Sequence, residues 1–585
     1  MFNTTFFEYL NETYRFAADY FLYSEQRYKA SLMLAGGFLC IIGMVALITS
    51  FSWWWVIFWA ALEAHNLAVL GSSLLLFAGL TIGYVVLKAT FNYLTECIKL
   101  NWRQWLTQKT CKDYLENETN FLELSRFSED LANPSQRIQE DINYFVELTI
   151  DLSNNLLKST FMLAAFVTSL WILSGTLSLS LLGIHLFIPG YLVWIALFVA
   201  ITATIIKQKL GASVQQLNDN DATNEALFRS ELERIPQDAE SISLERGQKY
   251  FKNALSHKYQ DIYDNAYKKI QVKTKLRIFD TIFEQITEVI PYLAAAPLYF
   301  TNTIVLGQLM QIGYSFAEVN QSFSWFMDSY DELAWHQTNT KRLQELQKIL
   351  KQENLCNAPK DIQRNMTPST TAIMIENLSI VNPHNSTPII QNLTITIEEK
   401  NHTFISGPSG MGKSTLFKAI AGTWKYGTGN INMPDESQIC FLAQKATFPK
   451  SSLRQVLAYP KPLDSYTDEQ FNDVLDKINL SDLKAKLDTT CEWGKILSGG
   501  QQQKIAFGRA LLSKPKWLFL DESTAALDDA SERNMYSLIQ NELKDTTFVS
   551  IAHRQSVEKY HTQTLLFKAT EEGRLSLSSS PSPAI

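Results

Sequence analysis

The sequence predicts two joined folding units: an α-helical membrane domain with six spans over residues 1–350, and an α/β domain built on a phosphate-binding loop over residues 371–572. Three observations carry that reading. The first half contains long blocks without charge, Lys and Arg are confined to the segments between alternate blocks, and the second half places a Gly-rich octapeptide between an apolar strand and a helix. At 585 residues the chain exceeds what one hydrophobic core holds. Its 52 Lys+Arg against 59 Asp+Glu give a formal charge of -7, which supplies no basic field for nucleic acid. Six cysteines form no C-x-x-C pair and no metal-ligand spacing, so neither a disulfide scaffold nor a zinc site is expected.

A helix needs about 20 apolar residues to cross a bilayer. Ser31 to Trp59 is uncharged, and from Ala60 to Leu87 the only ionisable groups are Glu63 and His65. Two spans fit there, near 31–52 and 67–90. Ser159 to Ile206 holds no Lys, Arg, Asp or Glu and is broken near Ser174-Gly175, giving spans at 155–175 and 185–206. Ile278 to Thr340 lacks Lys and Arg and breaks around Pro297 to Asn302, giving spans at 276–299 and 303–326. Buried helices in a large soluble protein rarely show three such blocks, so the lipid bilayer is the expected environment.

Positive charge sets the orientation. The loops at 51–66, 174–186 and 298–304 contain no Lys or Arg, whereas Lys99, Arg103, Lys109, Lys112, Arg126 and Arg137 follow span two. Both long inter-span segments are therefore expected on the cytoplasmic side, as helical extensions of spans two to five. The first 29 residues are polar and aromatic, with Arg15, Arg27 and Lys29, and need no cleavable signal.

A polar linker, 351–370, leads into short strands at Ala372-Ile-Met-Ile and Leu393-Thr-Ile-Thr-Ile. The apolar strand Thr403–Ser406 then runs into Gly407-Pro408-Ser409-Gly410-Met411-Gly412-Lys413-Ser414, and Thr415 opens a helix. This is G-x-x-x-x-G-K-[ST] in its required setting: glycines admit backbone N–H groups to phosphate oxygens, Lys413 reaches the outer phosphates, and the Ser414 hydroxyl is a Mg²⁺ ligand. Downstream, the apolar strand Trp517–Leu520 ends in Asp521-Glu522. Asp521 is placed to hold Mg²⁺ and Glu522 to polarise an attacking water.

Between these motifs stands Leu497-Ser498-Gly499-Gly500-Gln501, and with it the chain resembles the ATP-binding cassette superfamily. The resemblance implies ATP and Mg²⁺ as cofactors and a second copy of the chain as partner, since the family sandwiches ATP between one subunit's phosphate loop and the other's Ser498-Gly499-Gly500-Gln501 segment. It also implies a lid role with a hand on Mg²⁺ for Gln444, a D-loop at Ala526-Leu527-Asp528, and a γ-phosphate switch for His553. The chain departs from the pattern near Asn382-Pro383, where the adenine-stacking aromatic is absent. Asn133–Ile142, Asp238–Ile242 with Arg246-Gly247, Leu306–Gln311 and Trp424 are similar to blocks of the ABC subfamily D group, which includes peroxisomal acyl-CoA transporters and bacterial SbmA/BacA-like proteins. From that likeness follow an exporter-type six-span fold, a homodimeric half-transporter in the cytoplasmic (inner) membrane of a bacterium, and uptake of cobalamin or peptides. The alternative expectation is export or transport of lipid, fatty acyl or drug-like cargo.

Glu284 and Glu288 lie one helical turn apart on span five, about 16 Å past Arg277 for the latter. Carboxylates at that depth avoid lipid. They are expected either to line the path of a transported small molecule or peptide, or to pair within the helix bundle. The tail, 573–585, rich in Ser and Pro, is expected to be disordered.

Overall fold

The computed structural model describes residues 4–116, 122, 126, 134–181, 184–351, 359–368, 370–408, 410–552, 554–569 and 575–581. The chain divides into two units, one of residues 1–120 and 127–351, the other of residues 121–126 and 352–585.

The first unit is helical because its apolar runs carry no proline until late and satisfy every backbone group internally, as lipid demands. Helix α1 (Thr4–Phe21) precedes α2 (Arg27–Glu63) and α3 (Leu67–Glu116). At 1.5 Å per residue the 50 residues of α3 reach about 75 Å, far beyond a hydrocarbon core of about 30 Å, so much of the helix stands outside lipid. A π-turn, Arg137–Asp141, leads into α4 (Ile142–Ser174). Strands β1 (Thr176–Leu181) and β2 (Ile184–Pro189) form an antiparallel hairpin, and α5 (Tyr191–Gly211) follows. Span four was expected from 185; its helix starts at Tyr191, because the period-two alternation of Thr-Leu-Ser-Leu-Ser-Leu suits a pleated ribbon. Helices α6 (Val214–Gln237), α7 (Gln248–Phe300), α8 (Leu306–Asp328) and α9 (Tyr330–Leu350) complete the unit.

Among the described residues four helical segments are long and apolar enough to cross a membrane: Arg27–Glu63, Leu67–Leu115, Arg137–Ser174 and Tyr191–Gln237. The expected spans at 276–299 and 303–326 lie in α7 and α8, whose acidic and polar residues keep them out of that set. Close helix crossings rest on small residues. A Cβ on Gly307 would stand 2.7 Å from the Val56 carbonyl oxygen, so α8 and α2 meet backbone to backbone. Buried His336 of α9 ties three helices together through the Tyr9 hydroxyl and the Thr149 hydroxyl, each at 2.6 Å.

The second unit is α/β. Strands β3 (Lys360–Met366), β4 (Ala372–Val381) and β5 (Pro388–Glu398) lead to β6 (Thr403–Ser406), α10 (Lys413–Ile420), β7 (Gly427–Met433) and β8 (Ile439–Leu442). After α11 (Asp468–Lys477) and α12 (Gly499–Ser513) come β9 (Trp517–Asp521), α13 (Asp529–Glu542), β10 (Thr547–Ile551), β11 (Gln563–Ala569) and β12 (Leu575–Pro581). One sheet has the order β12-β11-β6-β10-β9-β8 and the other β3-β7-β4-β5. Strands β6, β10, β9 and β8 run parallel, and β9 and β10 bury nearly every residue, as central parallel strands do.

Three boundaries differ from expectation. The linker is not free, since β3 pairs with β7 as an edge strand; its mostly exposed side chains hide the alternation that marks a half-buried strand. Residues 575–581 of the tail pair with β11 rather than standing disordered, because their Leu-Ser-Leu-Ser repeat completes the edge of the sheet. Residues 121–126 join the second unit although they precede α4. Arg126 donates to the Thr423 carbonyl at 2.9 Å and lies 4.6 Å over the Trp424 ring.

His561 shows how tightly this unit is packed. Its Nδ1–H donates to the Val557 carbonyl at 2.9 Å, so Nε2 accepts from the Ser550 hydroxyl at 2.8 Å. Burial pushes its pKa down to about 3. The unfolded chain binds a proton below about 6.5 while the folded chain does not, so stability present above that pH is lost as pH falls toward 3. At pH 5 the loss is about 2 kcal/mol. Melting of the purified chain at pH 7.5 and pH 5 checks this, with a His561→Gln variant expected to flatten the difference.

Candidate functional site

The phosphate loop is shaped by its glycines. Gly407, Gly410 and Gly412 hold φ of 149°, 82° and 84°, the region that side-chain-bearing residues avoid. A Cβ on Gly412 would press into Ile389 at 2.6 Å, and one on Gly407 would meet Phe567 at 2.8 Å, whereas beside Gly410 nothing lies within 4 Å. The loop is thus packed on its protein side and open at Gly410. Pro408 is exposed and Met411 half-buried beside it, and Thr415 lies in the first turn of α10. Ser409 lies outside the described residues.

Lys413 is buried, and its ammonium donates to the Gly407 and Pro408 carbonyls at 2.7 and 2.8 Å. Burial pulls its pKa down, opposed by the carboxylates of Glu522 and Asp521. The Ser414 hydroxyl donates to Asp521 Oδ1 at 2.9 Å. These are two hard oxygen groups of the kind Mg²⁺ prefers, and burial pushes the Asp521 carboxyl up.

Glu522 follows at the end of β9. Its backbone sits at φ 48°, a strained left-handed conformation held by its N–H donating to the Ile551 carbonyl at 2.9 Å. Gln444 Nε2 donates to Glu522 Oε2 at 2.9 Å, so the two residues expected to handle water and Mg²⁺ meet directly. Ser498 caps α12 in a reciprocal box: its hydroxyl accepts from the Gln501 N–H at 3.3 Å, and Gln501 Oε1 accepts from the Ser498 N–H at 3.0 Å. Ser498 and Gly499 remain exposed at this helix N-terminus. Ala526 packs over Gly499 and Gly500, and its N–H donates to Gln503 Oε1 at 2.9 Å, docking the D-loop on α12.

His553 lies outside the described residues. Its neighbour Arg554 donates to the Leu527 carbonyl at 3.1 Å and to Asp529 at 3.0 Å, and buried Glu532 accepts from Thr524 at 2.7 Å and from Ser556 at 3.2 Å. Sequence reasoning missed this brace, which joins the D-loop to the segment after β10. Where the adenine-stacking aromatic is lacking, the hairpin after β4 is closed by Asn382 Oδ1 accepting from the His384 N–H at 3.0 Å.

In the helical unit, Glu284 and Glu288 both line a cavity of about 750 Å³ that also takes in Trp55, Phe283 and Tyr292. Lys207, on the same cavity, pairs with Asp280 at 2.8 Å.

A phosphate loop, a carboxylate pair at the end of β9, one strand removed from β6, and a capped serine-glycine segment, fused to membrane-crossing helices, define an ATPase coupled to a transmembrane domain. The chain belongs to the ABC transporter family. Residues 19–300 match the family model of ABC transporter transmembrane region 2, and residues 390–525 that of the ABC transporter domain. An uncharacterized ABC transporter ATP-binding protein of Haemophilus influenzae is 32% identical over 91% of this chain and 88% of its own. The human lysosomal cobalamin transporter ABCD4 is 25% identical over 84% of this chain and 83% of its own. A bacterial Atm1-family ABC exporter with ATP bound shares the fold at a TM-score of 0.73, with 16% identity over 94% of this chain and 95% of that one. The chain is thus a half-transporter, a transmembrane region of exporter type followed by one ATP-hydrolysing domain on the cytoplasmic side.

Proposed function

We propose that two copies of this chain form an ATP-driven pump that exports amphipathic cargo of the lipid, fatty acyl or drug-like kind across a bacterial cytoplasmic membrane. The observation that carries this is the cavity of about 750 Å³, whose aromatic walls and paired carboxylates Glu284 and Glu288 suit a drug-sized molecule with an apolar body and a polar end. The exporter fold favours this over uptake of cobalamin or peptides, the reading expected first. Cobalamin keeps one support, the name of the human relative. That relative also favours subfamily D, whereas the SbmA/BacA-like branch gains no support. Helices α7 and α8 supply spans five and six, with Asp280, Glu284 and Glu288 of α7 on the cavity wall.

In this reading Gly407 to Thr415, Ser409 included, cradle the phosphates, while Ser498 to Gln501 of the second copy cover the γ-phosphate. Ser414, Asp521 and Gln444 would hold Mg²⁺, which would supply positive charge against the phosphates. Glu522 accepts the proton of the attacking water, and His553 contacts the γ-phosphate. Exposure of Ser498 and Gly499 at a capped helix N-terminus supports the two-copy arrangement.

Transport into inside-out vesicles tests the proposal. ATP-dependent accumulation of a fluorescent amphiphile is expected there, and accumulation of cobalamin by right-side-out vesicles instead would reverse the direction. A Glu288→Gln change is expected to weaken transport of a cationic amphiphile by about tenfold, the worth of one charge-assisted contact. Undiminished transport would remove Glu288 from the cargo path.

A further inference from the structure

A second cavity, of about 470 Å³, lies among α2, α3, α4 and α8, and Tyr314 and Gln321 border both chambers. Its wall carries one cation, Lys158 of α4, and one anion, Glu318 of α8. The Glu318 carboxylate interacts with the Tyr314 hydroxyl and feels the charge of Lys158, yet among the described residues no ion pair within 4.0 Å joins Lys158 to Glu318 or takes either one elsewhere. The first chamber behaves differently, with Lys207 and Asp280 in direct contact at 2.8 Å.

Charged groups on membrane helices are costly, and they persist where they face a polar cavity and a partner. Lys158 stands about 24 Å from the outer end of α4 at Ser174, and Glu318 about 18 Å from the start of α8 at Leu306, so both lie inward of the outer membrane face. An ammonium and a carboxylate that line one chamber without an ion pair within 4.0 Å are both served by one kind of guest, a molecule bearing both signs. Its anion meets Lys158 and its cation meets Glu318. A purely anionic head is repelled by Glu318, a purely cationic one by Lys158, and an uncharged one leaves both without a counterion. Ile48, Phe51, Met162 and Trp325 offer apolar surface on the same wall for a hydrocarbon chain.

We propose that this chamber is a head-group site for zwitterionic amphiphiles. The inference rests on the export reading and narrows its cargo. The test uses the full chain in phosphatidylglycerol vesicles, which contain no zwitterionic lipid of their own. Three probes share one fluorescent alkyl chain and carry a phosphocholine, a phosphate or a trimethylammonium head. The phosphocholine probe is expected to bind and be transported at a concentration lower by about tenfold or more than the other two. Lys158→Gln should move the preference to the trimethylammonium probe and Glu318→Gln to the phosphate probe. The exchange K158E with E318K keeps one charge of each sign and should restore the phosphocholine preference, which separates charge matching from damage to the fold. Equal response to all three probes, or single variants that leave their ranking unchanged, overturns the head-group site while the export reading stands. Response to none of them overturns both.

Discussion

Replacing Glu522 with Gln is expected to lower ATP turnover by about two to four orders of magnitude, the usual worth of a positioned general base, while ATP still binds. Glu522 sits on a strained turn at φ 48°, fixed by its backbone bond to Ile551 and its side-chain bond from Gln444. Gln has the same length and tolerates the same backbone, and its carbonyl oxygen still accepts from Gln444. Only the capacity to take a proton from water disappears. With hydrolysis stalled, two copies clamped on ATP should persist, so size-exclusion chromatography with ATP is expected to show a dimer that the unaltered chain forms only transiently. Turnover within about tenfold of the unaltered chain would deny Glu522 the base role. A monomer under ATP would deny the shared nucleotide site instead, which keeps the two failures apart.

The nucleotide site was legible in the sequence because its chemistry is local. Gly407, Gly410 and Gly412 are needed for backbone angles that other residues resist, and Lys413, Ser414, Asp521 and Glu522 stand beside them within two short motifs. Ser498 to Gln501 were picked out by the family resemblance, and the reciprocal cap that Ser498 and Gln501 form emerges only from the structure. Glu284 and Glu288 were visible for a related reason, as two carboxylates one turn apart in an otherwise apolar run. Lys158 and Glu318 were not. Each is an isolated charge near the middle of its own helix, and only packing of α4 against α8 brings them to one chamber. Strand β2 was taken into span four because apolar residues count equally toward a helix or a ribbon in an uncharged block, and its pairing with β1 decides only once both are folded. Strands β3 and β12 were hidden by the opposite effect, since edge strands need no apolar face and leave little pattern to read.

Replacing Lys413 with Ala is expected to remove ATP-driven transport by preventing nucleotide capture rather than by harming the fold. Without nucleotide the ammonium is spent on the loop's own Gly407 and Pro408 carbonyls, and Pro408 is exposed, so water can replace the lost bonds. Thermal stability of the free chain should therefore change little. With ATP present the same ammonium turns to phosphate oxygens, where each charge-assisted bond is worth about 1.5–3 kcal/mol. Losing one such bond weakens binding by about ten- to a hundredfold. Ligand binding raises stability in proportion to the logarithm of concentration over Kd, so at ATP well above the original Kd the thermal shift should shrink by about the same free energy. Melting curves with and without ATP read both quantities from one sample. A variant that melts early in both conditions would make Lys413 a structural residue, and one that keeps the full ATP-induced rise would show that the loop backbone alone holds the phosphates.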